Sequence, residues 1–290
     1  MSSSITLNQA NQRQARSVWS NANAKGMIQL EVSDHLRGAD VLGRLIAFAI
    51  LVVCLPFIAL LVLLVRITSK GPGLYKQVRV GKDGKIFVMY KLRSMVSNAE
   101  EGTGPVWTQN DEDPRITTVG KLLRKSHLDE LPQLVNVVRG EMALFGPRPE
   151  RPELVHVLAD HVDGYLNRLA VKPGITGLAQ INLPPDTDLE SVRRKLVLDS
   201  EYIRTANYLL EFRMFVWTGL RLIGLPSSLA TKFLGLSRNV LPVKSSKESP
   251  VTIAEILQEC ESQQQLQKSQ KKHSSAPIQS TPILASKFPS

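Results

Sequence analysis

Along this chain the hydrophobic pattern changes character several times, and each change marks an element. Residues 1–36 are polar and rich in Asn, Gln and Ser, and show no sustained period. Residues 45–65 then read "LIAFAILVVCLPFIALLVLLV", an apolar run with no charge. As a helix it is about 31 Å long, enough to span the hydrocarbon of a bilayer. Next, "GLYKQVRVGKDGKIFVMYKLRSM" sets "GKDGK" between two runs rich in Val, Ile, Phe and Tyr, the pattern of a β-hairpin. The polar stretch "NAEEGTGPVWTQNDEDPRITTVG" reads as a long loop, of the kind that often carries function.

Helical periods dominate the rest. In "LRKSHLDELPQLVNVVRGEMALFGPRPE" the positions Leu131, Leu134, Val135 and Val138 fall on one face, and Gly140 follows the end. Two registers fit its start. With Asp129 as N-cap, Pro132 falls where its missing N–H is harmless; with Ser126 as N-cap, Asp129 becomes the third residue of a capping box and Pro132 lies deeper. The first register is preferred. A helix is predicted over 153–169, turns in "VKPGITGLAQIN", and helix over 188–222. There "YLLEFRMFVWTGLRLIGL" mixes Leu, Phe and Trp with Arg, which suits a helix in a membrane interface as well as one packed on a domain. From 243 onward Ser, Gln, Lys and Pro prevail, predicting a disordered tail with a short helix near "TIAEILQE".

Charge narrows the partners. Thirty-six Lys+Arg against 26 Asp+Glu give +10, which favours nucleic acid, an anionic membrane or a phosphorylated substrate. Aromatics are only 6% of the chain, which ranks nucleic acid last. The two cysteines, Cys54 in the apolar run and Cys260 in the polar tail, make no disulfide framework and fit a reducing compartment. Basic residues flank the apolar run on both sides, with Arg37 and Arg44 before it and Arg66, Lys70, Lys76 and Arg79 after it. The usual charge asymmetry of a spanning helix is therefore missing. Pro56 lies near the middle and removes a backbone hydrogen bond. A helix that turns at Pro56 and a kinked spanning helix both fit these residues.

The candidate chemistry centres on Asp129 and Glu130, adjacent acids among Arg124, Lys125 and Arg139, with Arg148 framed by prolines in "GPRP". Each acid alone is explained by helix capping and the helix dipole. As a set, carboxylates in a basic, rigid frame suit a phosphorylated substrate with Mg²⁺, which binds one or two carboxylates together with phosphate oxygens.

At these residues the sequence resembles the bacterial sugar transferase family, the monotopic phosphoglycosyl transferases. The resemblance rests on "LLRKSHLDELPQLVNVVRGEMALFGPRPE", with "DPRITTVG" before it and "KPGITGLAQIN" after it, and extends through "GPGLYKQVRVG", "YKLRSM" and the apolar run with its proline. It implies transfer of sugar 1-phosphate from a UDP-sugar to undecaprenyl phosphate at the cytoplasmic face of the inner membrane, with release of UMP. By the same resemblance Asp129 is the nucleophile of a covalent phosphosugar intermediate and Glu130 its metal-binding partner, holding Mg²⁺. Arg124 and Arg148 match phosphate-site arginines, and Lys91, Arg93 and Arg115 match family motif positions. The apolar run becomes a re-entrant anchor broken at Pro56, held to anionic lipid by flanking bases at roughly 1 kcal/mol each.

The expected fold is therefore α+β and mostly helical, with a re-entrant membrane helix, a small β-hairpin and a cytoplasmic catalytic domain bearing interfacial amphipathic helices. The expected boundaries are a flexible polar extension over 1–36, the anchor over 37–70, the catalytic domain over 71–225 and the tail over 243–290. A homodimer is allowed for, and nucleic acid is not expected. Two rival functions remain. One is a UDP-releasing glycosyltransferase using Asp111 to Asp113 as a metal motif; the other is a catalytically silent membrane protein that binds partners.

Overall fold

A computed structural model of the chain describes residues 19–20, 30–97, 99 and 113–241. The expected tail and its short helix lie outside the described residues, as do most of the N-terminal extension and residues 100–112 of the long loop.

The apolar run forms most of helix α2 (Asp40–Thr68), preceded by the short α1 (Asp34–Gly38). The described residues hold one helix long and apolar enough to cross a membrane, and it is this one. Helical backbone continues through Pro56. The expected break is thus not a loss of helical residues, and any re-entrant turn must be a bend within continuous helix, where Pro56 leaves one carbonyl without its N–H.

Both ends of α2 are docked on the rest of the chain. At its start Asp40 pairs with Lys172 at 2.6 Å, and Arg44 Nε donates to the Val138 carbonyl at 3.0 Å. Ala47 is buried among Phe87, Met89, Leu134 and Val137. At its end Leu61 and Val65 pack with Leu92 and Leu123. Between them Val52, Val53, Leu55, Phe57 and Leu60 are exposed.

The hairpin forms as the alternation predicts: β1 (Leu74–Val80) pairs antiparallel with β2 (Ile86–Leu92), Val78 opposite Val88. Asp83 at φ 56° and Gly84 at φ 69° close its turn. The mostly helical character with a small sheet also holds, but several boundaries differ. The end of the expected long loop is helix α3 (Thr118–Lys125), capped by Thr117, whose hydroxyl accepts from Gly120 N at 2.9 Å. The loop-like composition concealed an N-cap. The helix predicted over 153–169 is α5 (Pro152–His161) followed by a 3₁₀ turn (Tyr165–Ala170), with Gly164 at φ 72° between them.

Where turns were predicted in "VKPGITGLAQIN", β4 (Gly174–Thr176) pairs in parallel with β3 (Ala143–Phe145), and α6 (Leu178–Asn182) follows. Glycine is required at this pairing. A Cβ on Gly174 would fall 2.1 Å from Gly146 N, so the two backbones approach as only glycines permit. The helix expected over 188–222 is two. Asp188 and Ser191 form a capping box at the start of α7 (Leu189–Thr205), and Asn207 caps α8 (Tyr208–Leu222). Each cap satisfies donors worth about 1 kcal/mol, and Asn207 restarts the helix after a change of direction at Ala206. Beyond it α9 (Ser227–Phe233) returns onto α8, with Trp217 Nε1 donating to Thr231 Oγ1 at 2.9 Å.

Residues ahead of α2 join the same core. Leu30, Val32 and Leu36 pack against the cluster of Tyr202, Ile203, Leu210 and Met214, and Ser33 N donates to the Ile203 carbonyl at 3.0 Å. The face of α8 turned away from that core leaves Tyr208, Leu209, Phe212 and Phe215 exposed.

Candidate active site

Three pieces of chain converge on the acidic pair. The first is β2, which carries Lys91. It is fixed by Asn136, fully buried in helix α4 (Leu134–Val138), whose Oδ1 accepts from Tyr90 N at 3.1 Å and whose Nδ2 donates to the Val88 carbonyl at 2.7 Å. One polar side chain in the apolar run "LVNVV" thus sets the hairpin against the segment that carries the acids.

The second piece is the pair itself, and here the structure corrects the predicted register. Neither Asp129 nor Ser126 is an N-cap. Ser126 ends α3, His127 adopts a left-handed conformation at φ 55°, and Leu128–Gln133 is a 3₁₀ turn that leads into α4. The predicted face shifts as well: Leu134, Asn136 and Val137 are buried, whereas Leu131, Val135 and Val138 are half-buried. A left-handed non-glycine residue immediately before a tight turn is an unfavourable conformation, commoner for His than for most residues. It aims the next residues back toward β2. Gly140, at φ 78°, ends the segment as expected.

Glu130 Oε1 receives both Lys91 Nζ at 3.0 Å and Arg148 Nη2 at 2.8 Å. These cations outweigh burial and hold the Glu130 carboxyl well below the usual range; in return Glu130 lifts Arg148 above its ordinary value. Burial pulls the Lys91 ammonium down despite its partner. Asp129 behaves oppositely to its neighbour. It is 8% exposed, has no hydrogen bond or ion pair among the described residues, and burial raises its carboxyl pKa above the usual range. The two acids are therefore differentiated: one is locked as an ion-pair partner, the other is unpaired and more basic.

The third piece is the strap 147–150, in which prolines flank Arg148. Its four carbonyls each accept from a donor elsewhere in the fold, two of them from β1. Gly174 N donates to Pro147 O, Arg168 Nη2 to Arg148 O, Arg79 Nη1 to Pro149 O and Val80 N to Glu150 O, all at 2.9 Å. Arg168 is itself held by Asp199 at 2.9 Å and by Tyr165 Oη at 2.8 Å. Arg148 thus projects from a backbone with almost no freedom, its side chain 36% exposed.

The other predicted residues lie apart from this cluster. Arg93 is buried at the end of α2, where its Nη2 donates to Ser69 O at 2.9 Å and Ser69 Oγ at 2.7 Å. Arg115 is bonded to Asp113 through Nε and Nη2, and Arg124, at the end of α3, acts on Asp113 as well. Together they bring the Asp113 carboxyl down to about 2. Sequence reasoning did not single out His127, Asn136 or Arg168, and gave Arg79 no role beyond flanking charge. A lone Asn in an apolar helix was a legible signal for Asn136; nothing local distinguishes Arg168.

Comparison with known proteins gives this geometry a context. The family model described as bacterial sugar transferase matches residues 36–224. A Bacillus subtilis protein provisionally named as an undecaprenyl-phosphate N-acetylgalactosaminyl 1-phosphate transferase is 46% identical over 133 residues, 46% of this chain and 72% of that protein. The UDP-glucose:undecaprenyl-phosphate glucose-1-phosphate transferase of Escherichia coli is 42% identical over 161 residues, 55% of this chain and 34% of that protein. A UDP-N-acetylgalactosamine-undecaprenyl-phosphate N-acetylgalactosaminephosphotransferase of Aeromonas hydrophila is 39% identical over 168 residues, 58% of this chain and 38% of that protein. The chain thus spans little more than a third of the latter two.

Asn136→Leu is expected to destabilise the protein by about 2–5 kcal/mol, since it leaves the Tyr90 N–H and the Val88 carbonyl buried without partners. Denaturant unfolding of the purified protein measures this. A loss under about 0.5 kcal/mol would show that Asn136 does not hold the hairpin.

Proposed function

The chain belongs to the bacterial sugar transferase family, and on that premise we propose that it moves sugar 1-phosphate from a UDP-sugar to undecaprenyl phosphate and releases UMP. The observation that carries this reading is the pairing of an unpartnered, buried Asp129 with a Glu130 clamped by Lys91 and Arg148. A carboxylate oxygen of Asp129 attacks the phosphorus that bears the sugar, and the bond from that phosphorus to the bridging oxygen breaks, so UMP departs with the electron pair. An oxygen of the lipid phosphate then attacks the aspartyl phosphosugar, restoring the carboxylate and forming the polyprenyl diphosphate sugar. Lys91 and Arg148 neutralise the phosphoryl oxygens, without which an anionic nucleophile could not approach.

The donor set fits a Mg²⁺ ion of the type that binds one or two carboxylates and substrate phosphates. Both cations contact Oε1 of Glu130, which leaves its Oε2 without a partner among the described residues. Glu130 would hold the ion, with Asp129 beside it, and the ion would supply charge neutralisation at the diphosphate. The rival metal motif has less support. Asp111 and Glu112 lie outside the described residues, and Asp113 is taken up by Arg115.

We assign α2 as a re-entrant anchor that enters and leaves one face of the inner membrane, with the catalytic domain on the cytoplasmic side. Support comes from the docking of both ends on one domain, the exposed apolar middle around Pro56, and the basic residues on both flanks. The exposed face of α8 would lie at the same interface, beside the lipid phosphate that the reaction consumes.

With Mg²⁺, undecaprenyl phosphate and a panel of UDP-sugars, the protein is expected to release UMP; UDP as the product would move the chemistry to glycosyl transfer. Asp129→Asn should lower turnover by about 10³-fold or more while the protein stays folded, and full activity in that variant would refute the nucleophile. Glu130→Gln should weaken the dependence on Mg²⁺, and an unchanged requirement would remove Glu130 from the metal site. For the anchor, cysteines at Ser20 and Lys85 in a chain lacking Cys54 and Cys260 should both escape a periplasmic thiol reagent in intact cells. Labelling at one position alone would mean a spanning helix.

A further inference from the structure

The motif "YKLRSM" brings two bases, Lys91 and Arg93, and the transfer chemistry uses only the first. Arg93 is 5% exposed, yet its Nε and Nη1 donate to nothing among the described residues, and its side chain is held only where Nη2 meets Ser69 O and Oγ. A guanidinium stays charged even when buried, so something must offset it. The C-terminal end of α2 does so. Thr68 is the last residue of that 29-residue helix and Ser69 its C-cap, and Ser69 Oγ donates in turn to Val65 O at 3.0 Å. Arg93 therefore reaches the end of α2 directly and through one hydroxyl, where the helix dipole places negative charge. The chain around it admits this contact: Gly71 has φ 112°, and a Cβ there would collide with Arg93 Nη1. Arg93 N also donates to Gly73 O at 2.9 Å, so backbone and side chain both grip residues 69–73.

These contacts close a short path between the helix and the acids. Arg93 holds the exit of α2, and Lys91, two residues earlier, holds Glu130 at 3.0 Å. Leu92, between them in sequence, packs with Leu61 and Val65 of α2. We propose that Arg93 is a positioning residue that fixes the exit of α2 relative to the acidic pair, and so governs the half of the reaction in which the lipid takes part. The proposal rests on the transferase reading and on α2 as a membrane anchor, and adds to them a residue that acts on one half-reaction alone. The UDP-sugar is soluble and can meet Asp129 at any height above the bilayer, so formation of the aspartyl phosphosugar does not depend on the depth of the site. Discharge does. The phosphate of undecaprenyl phosphate is held at the bilayer surface, and its oxygen must come within attacking distance of the phosphorus on Asp129. A loosened exit therefore leaves the first half-reaction intact and slows the second. If Arg93 instead bound the donor diphosphate, as its place in a motif with Lys91 suggests, the first half-reaction would be the one to suffer.

The test times the two half-reactions separately in the full-length protein in nanodiscs. Adduct formation is followed with Mg²⁺ and the UDP-sugar that the panel identifies, without lipid acceptor; nucleotide is then removed, undecaprenyl phosphate is added, and discharge is followed. Arg93→Gln removes the charge, and Arg93→Lys keeps it without the forked donors. Arg93→Gln is expected to form the adduct at a rate within about twofold of the parent and to discharge it about tenfold more slowly or worse, with Arg93→Lys between the two. Equal slowing of both halves would make Arg93 a donor ligand or a general support, and no slowing of either would show that the exit does not need it; each result overturns the proposal. Hydrogen exchange in the same nanodiscs gives a readout independent of activity: amides of residues 66–73 should exchange about tenfold faster in Arg93→Gln while those of β2 and of residues 128–138 hold. Unchanged exchange over 66–73 overturns the proposal as well. Where Arg93→Gln does not fold, Arg93→Lys carries both measurements. A parent protein that forms no adduct and releases no UMP would sink the transferase reading, an outcome distinct from all of these, and the exchange result would still decide whether Arg93 holds the exit of α2.

Discussion

One carboxylate oxygen organises this site. Glu130 Oε1 is shared by Lys91 from the hairpin and Arg148 from the proline-framed strap, at 3.0 and 2.8 Å. Through it, three segments far apart in sequence are fixed relative to one another in a partly buried place, where such ion pairs are strong only when geometry and neighbouring hydrogen bonds are good. The fold supplies both. Asn136 locks the hairpin from below, and the four carbonyls of 147–150 are tied to four different donors. A consequence falls on the neighbouring residue: with both cations committed to Glu130, Asp129 is left buried and unpaired, its pKa raised.

The same frame explains the position of the apolar helix α2. Its first turns rest on β2 and α4, and its last turns on β2 and α3; α3 and α4 flank the turn that carries the acidic pair, and β2 carries Lys91. Helix α2 is thus packed into the fold around the candidate site at both ends. On the proposed reaction, whose acceptor phosphate sits at a bilayer surface, the nucleophile needs a fixed depth, and docking of both ends of α2 would provide that without a linker.

Much of this was legible in the sequence, and the limits have physical causes. The hairpin, the apolar helix and the grouping of Asp129, Glu130 and Arg148 follow from alternation, composition and the prolines of "GPRP". The register of the acids did not follow. A helix rule placed Asp129 at a cap, whereas His127 in a left-handed conformation starts a 3₁₀ turn, a choice enforced by tertiary contacts with β2. Lys91 resolved as a partner of Glu130, but Arg93, two residues on, was captured by Ser69 at the end of α2, and Arg115 by Asp113. Charge along a chain says nothing of which acid each base will meet. Arg168 lies far from the motif in sequence and touches it only through the Arg148 carbonyl.

The central claim is that Asp129 becomes covalently bonded to the sugar phosphate before the lipid takes part. Intact-protein mass spectrometry after incubation with Mg²⁺ and the UDP-sugar, with no lipid acceptor present, tests it directly. The expected result is an adduct of one hexose phosphate or acetamidohexose phosphate, mapping to the peptide that contains Asp129, together with one equivalent of UMP. UMP release that occurs only when undecaprenyl phosphate is added, with no adduct at any time, would mean direct displacement and contradict the account.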